Sequence, residues 1–270
     1  MSVTRAPAER STRQPLVSIL VPCFNGAAFL RESLDSILAQ TYANIEVILL
    51  DDASTDDTPE IAREYAGRIT YVRQESNLGQ FGNVNDGIRR ARGELIAVWH
   101  ADDVYLPTIA RDEVEYLVAH PDVAAVYTTD LFIDADGYEY GRMSLPREIR
   151  GERPLEYRTI LNALLTYRNR FLVGPSAMVR AAVYREVGEY CEPKYRIASD
   201  LEMWMRISRR HPIAVLEAPG MKYRHFHGNA SQHYQRLRTD PDVYFPLIDE
   251  YLDAGGRAIA TPGALRGHEA

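Results

Sequence analysis

Two adjacent aspartates, Asp102 and Asp103, follow the apolar run Leu95 to Trp99 in Val98-Trp99-His100-Ala101-Asp102-Asp103. Neighbouring carboxylates repel one another unless a cation or several hydrogen-bond donors compensate. A hard divalent ion carrying phosphate oxygens fits that need, since Mg²⁺ is commonly held by one or two carboxylates and completes its shell with phosphates. A solvated acidic turn ahead of a helix starting near Pro107 is the competing reading. A second pair, Asp51-Asp52, ends the apolar run Ile45 to Leu50 and leads into Ala53-Ser54-Thr55-Asp56. A carboxylate there can accept hydrogen bonds from a base or a ribose, or it can serve a strand-to-helix turn. A receiver-type phosphoacceptor also uses such a pair, but after its first strand, where this chain has Pro22-Cys23-Phe24-Asn25-Gly26. Asp200 sits in Tyr195-Arg196-Ile197-Ala198-Ser199-Asp200-Leu201. In partly apolar surroundings it can take a proton from a hydroxyl; alternatively it only answers the dipole of the helix it begins. His225 and His227 alternate as on one face of a strand, a metal pair if a carboxylate joins them and an edge pair otherwise.

The elements that must position these groups alternate along the first half. Leu16 to Val21, Ile45 to Leu50 and Leu95 to Trp99 are near-continuous apolar runs, the pattern of strands covered on both faces. Between the first two, Leu30, Leu34, Ile37 and Leu38 repeat at helical spacing. Asp57-Thr58-Pro59-Glu60 reads as a helix start. Further strands are expected at Ile69 to Val72 and Val123 to Tyr127, with helices at Asn83 to Arg90 and Pro107 to Val118. This alternation predicts a mostly parallel sheet with helices on both faces. Ligands of such sheets bind beyond the carboxyl ends of the strands, where all three polar signatures fall. The second half is mixed: a strand turning at Asp136-Gly137, helices over Leu155 to Tyr167 and Ser199 to Arg210, and a strand at Pro175 to Val179. Ser199 is expected to cap its helix. A last helix, Val243 to Leu252, precedes a stretch expected to fray.

The bulk numbers narrow the function classes. A chain of 270 residues suits one large domain, and its net charge of -7 argues against a nucleic-acid partner. The two cysteines, Cys23 and Cys191, give neither a disulfide framework nor a zinc pattern, and Met1 to Pro15 lacks the apolar core of a secretory signal. A reducing cytoplasmic setting is the expectation. No apolar run approaches the roughly 18 residues of a membrane span. Neither Gly-x-Gly-x-x-Gly nor a P-loop is present.

In this order the segments resemble the family 2 glycosyltransferases of GT-A fold. The resemblance rests on LVSILVPCFNGAAFLRESLDSILAQTYANIEVILLDDASTDDT, NLGQFGNVNDGIRRARGELIAVWHADDVYLP, GPSAMVRAAVYREVG, YRIASDLEMWMRI and YRHFHGNAS, spanning residues 16–235. It implies an α/β fold whose nucleotide-binding, mostly parallel sheet occupies 16–105 and whose mixed acceptor half occupies 106–235, between a flexible tail, 1–15, and a helical extension, 236–270. It implies that Pro22, Phe24 and Asn25 line the nucleotide pocket, that Asp52 binds the base with Asp51 supporting the turn, and that Asn77 and Asn85 add donor contacts. Asp102 would contact the ribose or sugar, Asp103 a Mn²⁺ or Mg²⁺ ion bridging the diphosphate, and His227 the metal or diphosphate. Asp200 would be the catalytic base. The implied reaction is inverting transfer from a nucleotide sugar, expected to be a UDP-sugar, to a hydroxyl of a glycan, glycolipid or small molecule, with peripheral contact at the inner membrane face. A non-catalytic sugar-nucleotide-binding protein and a sugar nucleotidyltransferase are the alternatives. Two departures stand out. His100 replaces an aspartate frequent two positions before Asp102, and Asn83-Val84-Asn85 replaces a frequent Ala-Arg-Asn.

Overall fold

Along β1 (Val17–Cys23) the pleat sends Val17, Ile19 and Val21 to one apolar layer and Leu20 to another. The same division holds in β2 (Ile45–Asp51), where Val47 and Leu49 join the first layer and Ile48 and Leu50 the second. These strands are therefore apolar almost throughout because both faces are covered; the exceptions inside them, Ser18 and Glu46, hydrogen-bond to each other. The computed structural model describes residues 14–226 and 241–269.

The first half runs β1, α1 (Leu30–Leu38), β2, α2 (Thr58–Glu64), β3 (Thr70–Arg73), α3 (Gln80–Arg90), β4 (Leu95–Val98), β5 (Val104–Tyr105) and α4 (Ile109–Ala119). β1 pairs in parallel with β2 and β4, and β3 extends the sheet beside β2. Leu30, Leu34 and Ile37 of α1, Ile61 of α2 and Val114 of α4 cover the first layer, whereas α3 lies on the second. Gly87 lets α3 approach closely: a Cβ there would stand 2.4 Å from Leu50 Cδ1.

The second half comprises β6 (Ala125–Ile133), β7 (Glu139–Arg142), α5 (Tyr157–Tyr167), β8 (Met178–Arg180), α6 (Ala181–Val187), α7 (Glu192–Tyr195), α8 (Ser199–Ser208), β9 (Ile213–Arg224), α9 (Pro241–Asp253) and α10 (Pro262–Glu269). Strand order is β3-β2-β1-β4-β8-β6-β9-β5, with β7 on β6. The parallel set thus occupies the first half. β8 enters antiparallel between β4 and β6, while β6 and β9 pair in parallel.

β9 has no counterpart in the sequence expectations, although it has 12 residues. Pro219-Gly220 in its middle reads as a turn. In the fold they mark an irregularity, where the β6–β9 register shifts between Thr128 and Asp130. A Cβ on Gly220 would stand 2.4 Å from Thr128 Oγ1 and 2.7 Å from Ile109 Cδ1, so backbone and neighbours meet there directly. Two other expectations need correction. Ser199 does not cap α8; its hydroxyl donates to the Arg196 carbonyl at 2.6 Å. The stretch after Leu252 does not fray through the described residues, because α10 follows and buries Ala264 beside α5 and α9. Among the described residues no helix is long and apolar enough to cross a membrane.

Candidate active site

The loops after β1 and β2 interlock. Asn25 takes a positive φ of 52°, a left-handed conformation that Asn tolerates better than most residues. Its N–H donates to Ser54 Oγ at 2.9 Å, and its Oδ1 accepts from the Thr55 N–H at 2.8 Å. The Gly26 N–H donates to Thr58 Oγ1 at 3.0 Å. Pro22, Phe24 and Asn25 consequently line one wall of a cavity of about 1070 Å³. Phe24 presents its ring to solvent there, 54% exposed.

Asp51 and Asp52 face different ways. Asp51 is fully buried behind the wall, accepting from the Tyr71 hydroxyl at 2.6 Å, Arg73 Nη1 at 3.1 Å and the Ser54 N–H at 2.8 Å. Its role is to hold the turn. Asp52 lines the cavity, its Oδ1 accepting from the Leu78 N–H at 2.7 Å. Burial raises its pKa, and the Leu78 and Gly79 N–H groups oppose that rise. Asn77 joins it at the wall and donates to the Asp52 carbonyl at 3.3 Å.

Asn85 is not brought to the site. Its amide is spent on Tyr190, donating to the carbonyl at 3.0 Å and accepting from the N–H at 2.9 Å. Helix α3 instead lines the cavity with Gln80, Phe81 and Asn83, the last with its amide tied to the Leu50 carbonyl at 2.7 Å.

Beyond β4, Asp102 lines the cavity and Asp103 sits behind it, 1% exposed. Asp103 Oδ1 accepts from the Arg224 N–H at 2.9 Å; Oδ2 has no hydrogen-bond partner among the described residues. The buried Arg224 side chain donates through Nε to the Asp102 carbonyl at 2.8 Å and through Nη1 to the Asp134 and Ala135 carbonyls at 3.2 and 3.1 Å. Ligand atoms of His100, Asp102 and Asp103 all lie within 4.8 Å of one another, a donor set suited to a divalent cation. Burial, with Asp102 adding to it, holds the Asp103 carboxyl well above the usual carboxylate range. Asp130 on β6 is a buried acid that sequence reasoning missed. It reaches the cavity wall with Oδ1 unpartnered among the described residues, and burial pushes its pKa up to about 8. Its only sequence signal is an acid following two threonines inside a strand rich in β-branched and aromatic residues.

The same cavity is lined by Asp200. Helix α8 is anchored by Leu201, Met203 and Trp204, with Trp204 edge-on to Tyr127 at 5.3 Å between ring centroids. This leaves Asp200 at the first turn facing the cavity, Oδ1 accepting from the Leu201 N–H at 2.6 Å. Burial raises its pKa to about 6, against the pull of main-chain N–H groups. The segment 169–175 passes alongside: a Cβ on Gly174 would stand 3.4 Å from Asp200 Oδ2. His225 lines the cavity and contacts the Tyr140 hydroxyl. His227, the other expected metal ligand, lies outside the described residues.

Residues 18–188 match the family model described as Glycosyl transferase family 2. An uncharacterized glycosyltransferase of Haemophilus influenzae is 30% identical over 90% of this chain and 76% of its own length. One from Rickettsia felis is 33% identical over 79% of this chain, which spans only 34% of that protein. Among solved structures, S. aureus TarS 1-349 superposes with a TM-score of 0.67 at 19% identity, over 94% of this chain and 70% of that one. The mannosyltransferase PcManGT from Pyrobaculum calidifontis, in complex with GDP-Man and Mn²⁺, gives 0.61 at 22% identity, over 96% and 74%. At these identities the structural likeness speaks to the fold, which is the GT-A architecture the sequence led us to expect.

Proposed function

The chain belongs to glycosyl transferase family 2, and from that premise we propose that it transfers a sugar from a nucleotide-diphosphate sugar to an acceptor hydroxyl with inversion. One observation carries this reading. Asp52, Asp102 and Asp200, from three distant parts of the chain, line a single cavity. Phe24 offers a ring face for a base and Asp52 a carboxylate for its polar edge. Asp200 takes the proton from the acceptor hydroxyl; its pKa of about 6 leaves it ionised at neutral pH and still basic enough for the task. The acceptor oxygen bonds to the anomeric carbon from the face opposite the diphosphate, and the bond from that carbon to the diphosphate oxygen breaks. Asp102 and Asp103, with His100 beside them, would hold Mn²⁺ or Mg²⁺; the buried, unpartnered Asp103 Oδ2 supports that assignment. When bound, such an ion neutralises charge growing on a leaving diphosphate. Structures of TarS in complex with UDP and UDP-GlcNAc favour uridine as the first nucleotide to test, with GDP-Man, present with PcManGT, as the second.

The experiment is a panel of nucleotide sugars assayed for nucleoside diphosphate release with Mn²⁺, with Mg²⁺ and with EDTA. We expect metal-dependent release from one donor or a narrow group. Pyrophosphate release would point instead to nucleotidyl transfer. Binding without turnover across donors and acceptors would point to a non-catalytic sugar-nucleotide-binding protein.

A further inference from the structure

Resting on the transfer reaction above, we propose that the acceptor is a glycan carrying an anionic group, a phosphate or a carboxylate, held by Arg142 and Arg170. Among the described residues these two are the only arginine or lysine side chains that line the large cavity. Both are exposed, and neither guanidinium has a hydrogen-bond or ion-pair partner among the described residues. Unpaired guanidiniums inside a site are poised for an anion, because the planar fork matches carboxylate and phosphate oxygens.

Their place in the fold sets them on the acceptor side. Arg170 stands on the segment 169–175, whose Gly174 lies against Asp200. Arg142 ends β7, which hangs on β6, and β6 is two strand positions beyond β4 in the sheet. The loops proposed for the nucleotide follow β1 and β2, on the other side of β4. Arg142 also lines a smaller neighbouring pocket of about 250 Å³, which shares Asp130, Met143 and Ser144 with the large one and adds both Arg150 and Glu217, the latter accepting from the Gly151 N–H at 2.8 Å. The Arg150 Nε donates to the Leu145 carbonyl, and no carboxylate neutralises the group among the described residues. The neighbouring pocket thus sets a third guanidinium beside Arg142. The carboxylates of Asp102 and Asp200 would repel an anionic acceptor, and these cations offset that repulsion where the acceptor enters.

The test uses full-length protein saturated with Mn²⁺ and the nucleoside diphosphate that the donor panel selects. Glucose 6-phosphate, glucuronate and glucose are then titrated separately at low ionic strength, with binding followed by NMR. We expect at least one charged sugar to bind about tenfold more tightly than glucose. That gap should close in the Arg142→Gln, Arg170→Gln double variant while nucleotide affinity stays unchanged. The two charged probes separate a phosphate from a carboxylate preference. Equal binding of all three sugars, or no binding of either charged one, overturns the proposal. A loss of nucleotide affinity in the double variant also overturns it, by assigning the guanidiniums to the donor diphosphate. Failure of wild-type protein to bind any nucleoside diphosphate would instead sink the transfer reading itself.

Discussion

The Arg224 N–H donates to Asp103 Oδ1 at 2.9 Å, tying the end of β9 to the acidic turn after β4 across more than a hundred residues of chain. The Arg224 side chain, 1% exposed, adds donors to the Asp102, Asp134 and Ala135 carbonyls and pairs with Glu32. The cation that lets Asp102 and Asp103 stand together is in part the protein's own.

Removing that cation should loosen the turn. Arg224→Met leaves three carbonyls without their donor and Asp103 without a nearby positive charge, so we expect a loss of about 3 kcal/mol in urea unfolding. Glu32 is more than half exposed, and its pair contributes little to that loss. Unchanged stability would show that the turn holds without Arg224.

Asp200→Asn keeps the shape of the first turn of α8 and removes the proposed base. Nucleotide affinity should hold while transfer falls by about 10² to 10⁴. In the unaltered protein the base works only when ionised, so the transfer rate should rise with pH through about 6 and then level off. A profile flat across that range would remove Asp200 from its role.

Asn85→Ala tests a structural assignment against a binding one. The Tyr190 N–H and carbonyl, both buried, would lose their partner, costing about 1–3 kcal/mol in stability. Nucleotide affinity should not change. A variant of normal stability with weakened nucleotide binding would return Asn85 to the donor site.

Glu113 on α4 is fully buried and both its oxygens lack a partner among the described residues. Burial raises its pKa well above 4.5. The folded state therefore keeps a proton that the unfolded chain releases above 4.5, and stability falls as pH rises past that value. Glu113→Leu should stabilise the fold by about 1–3 kcal/mol. The gain should be larger at pH 8 than at pH 5 by urea denaturation. An equal gain at both would mean that the acid is not proton-linked.

Much of the site was legible because its groups are local to strand ends. The runs before Pro22, Asp51 and Asp102 are near-continuously apolar, broken only by Ser18 and Glu46, so they read as doubly covered strands, and a parallel sheet then brings their ends to one crevice. Asp200 was legible from a helix start. The division of Asp51 and Asp52 between turn and cavity came only from the family resemblance, and that Asp102 rather than Asp103 lines the cavity was not legible, because the two share a turn and only the packing decides which of them faces it. Asn77 and Asn85 looked alike in sequence, but Tyr190, 105 positions beyond Asn85, claims one of them.

By itself, then, the sequence determined the doubly covered first-half strands, the alternation that makes them parallel, and the acids and small residues at their ends, because those features follow from hydrophobic period and local turn chemistry. Tertiary structure alone decided that β9 runs through Pro219-Gly220, that Arg224 meets Asp103, that Asp130 comes to the cavity and that Arg142 and Arg170 line the same cavity as Asp200. Each of these depends on contacts between segments far apart in the chain, and no local pattern of residue types encodes which distant partner will arrive.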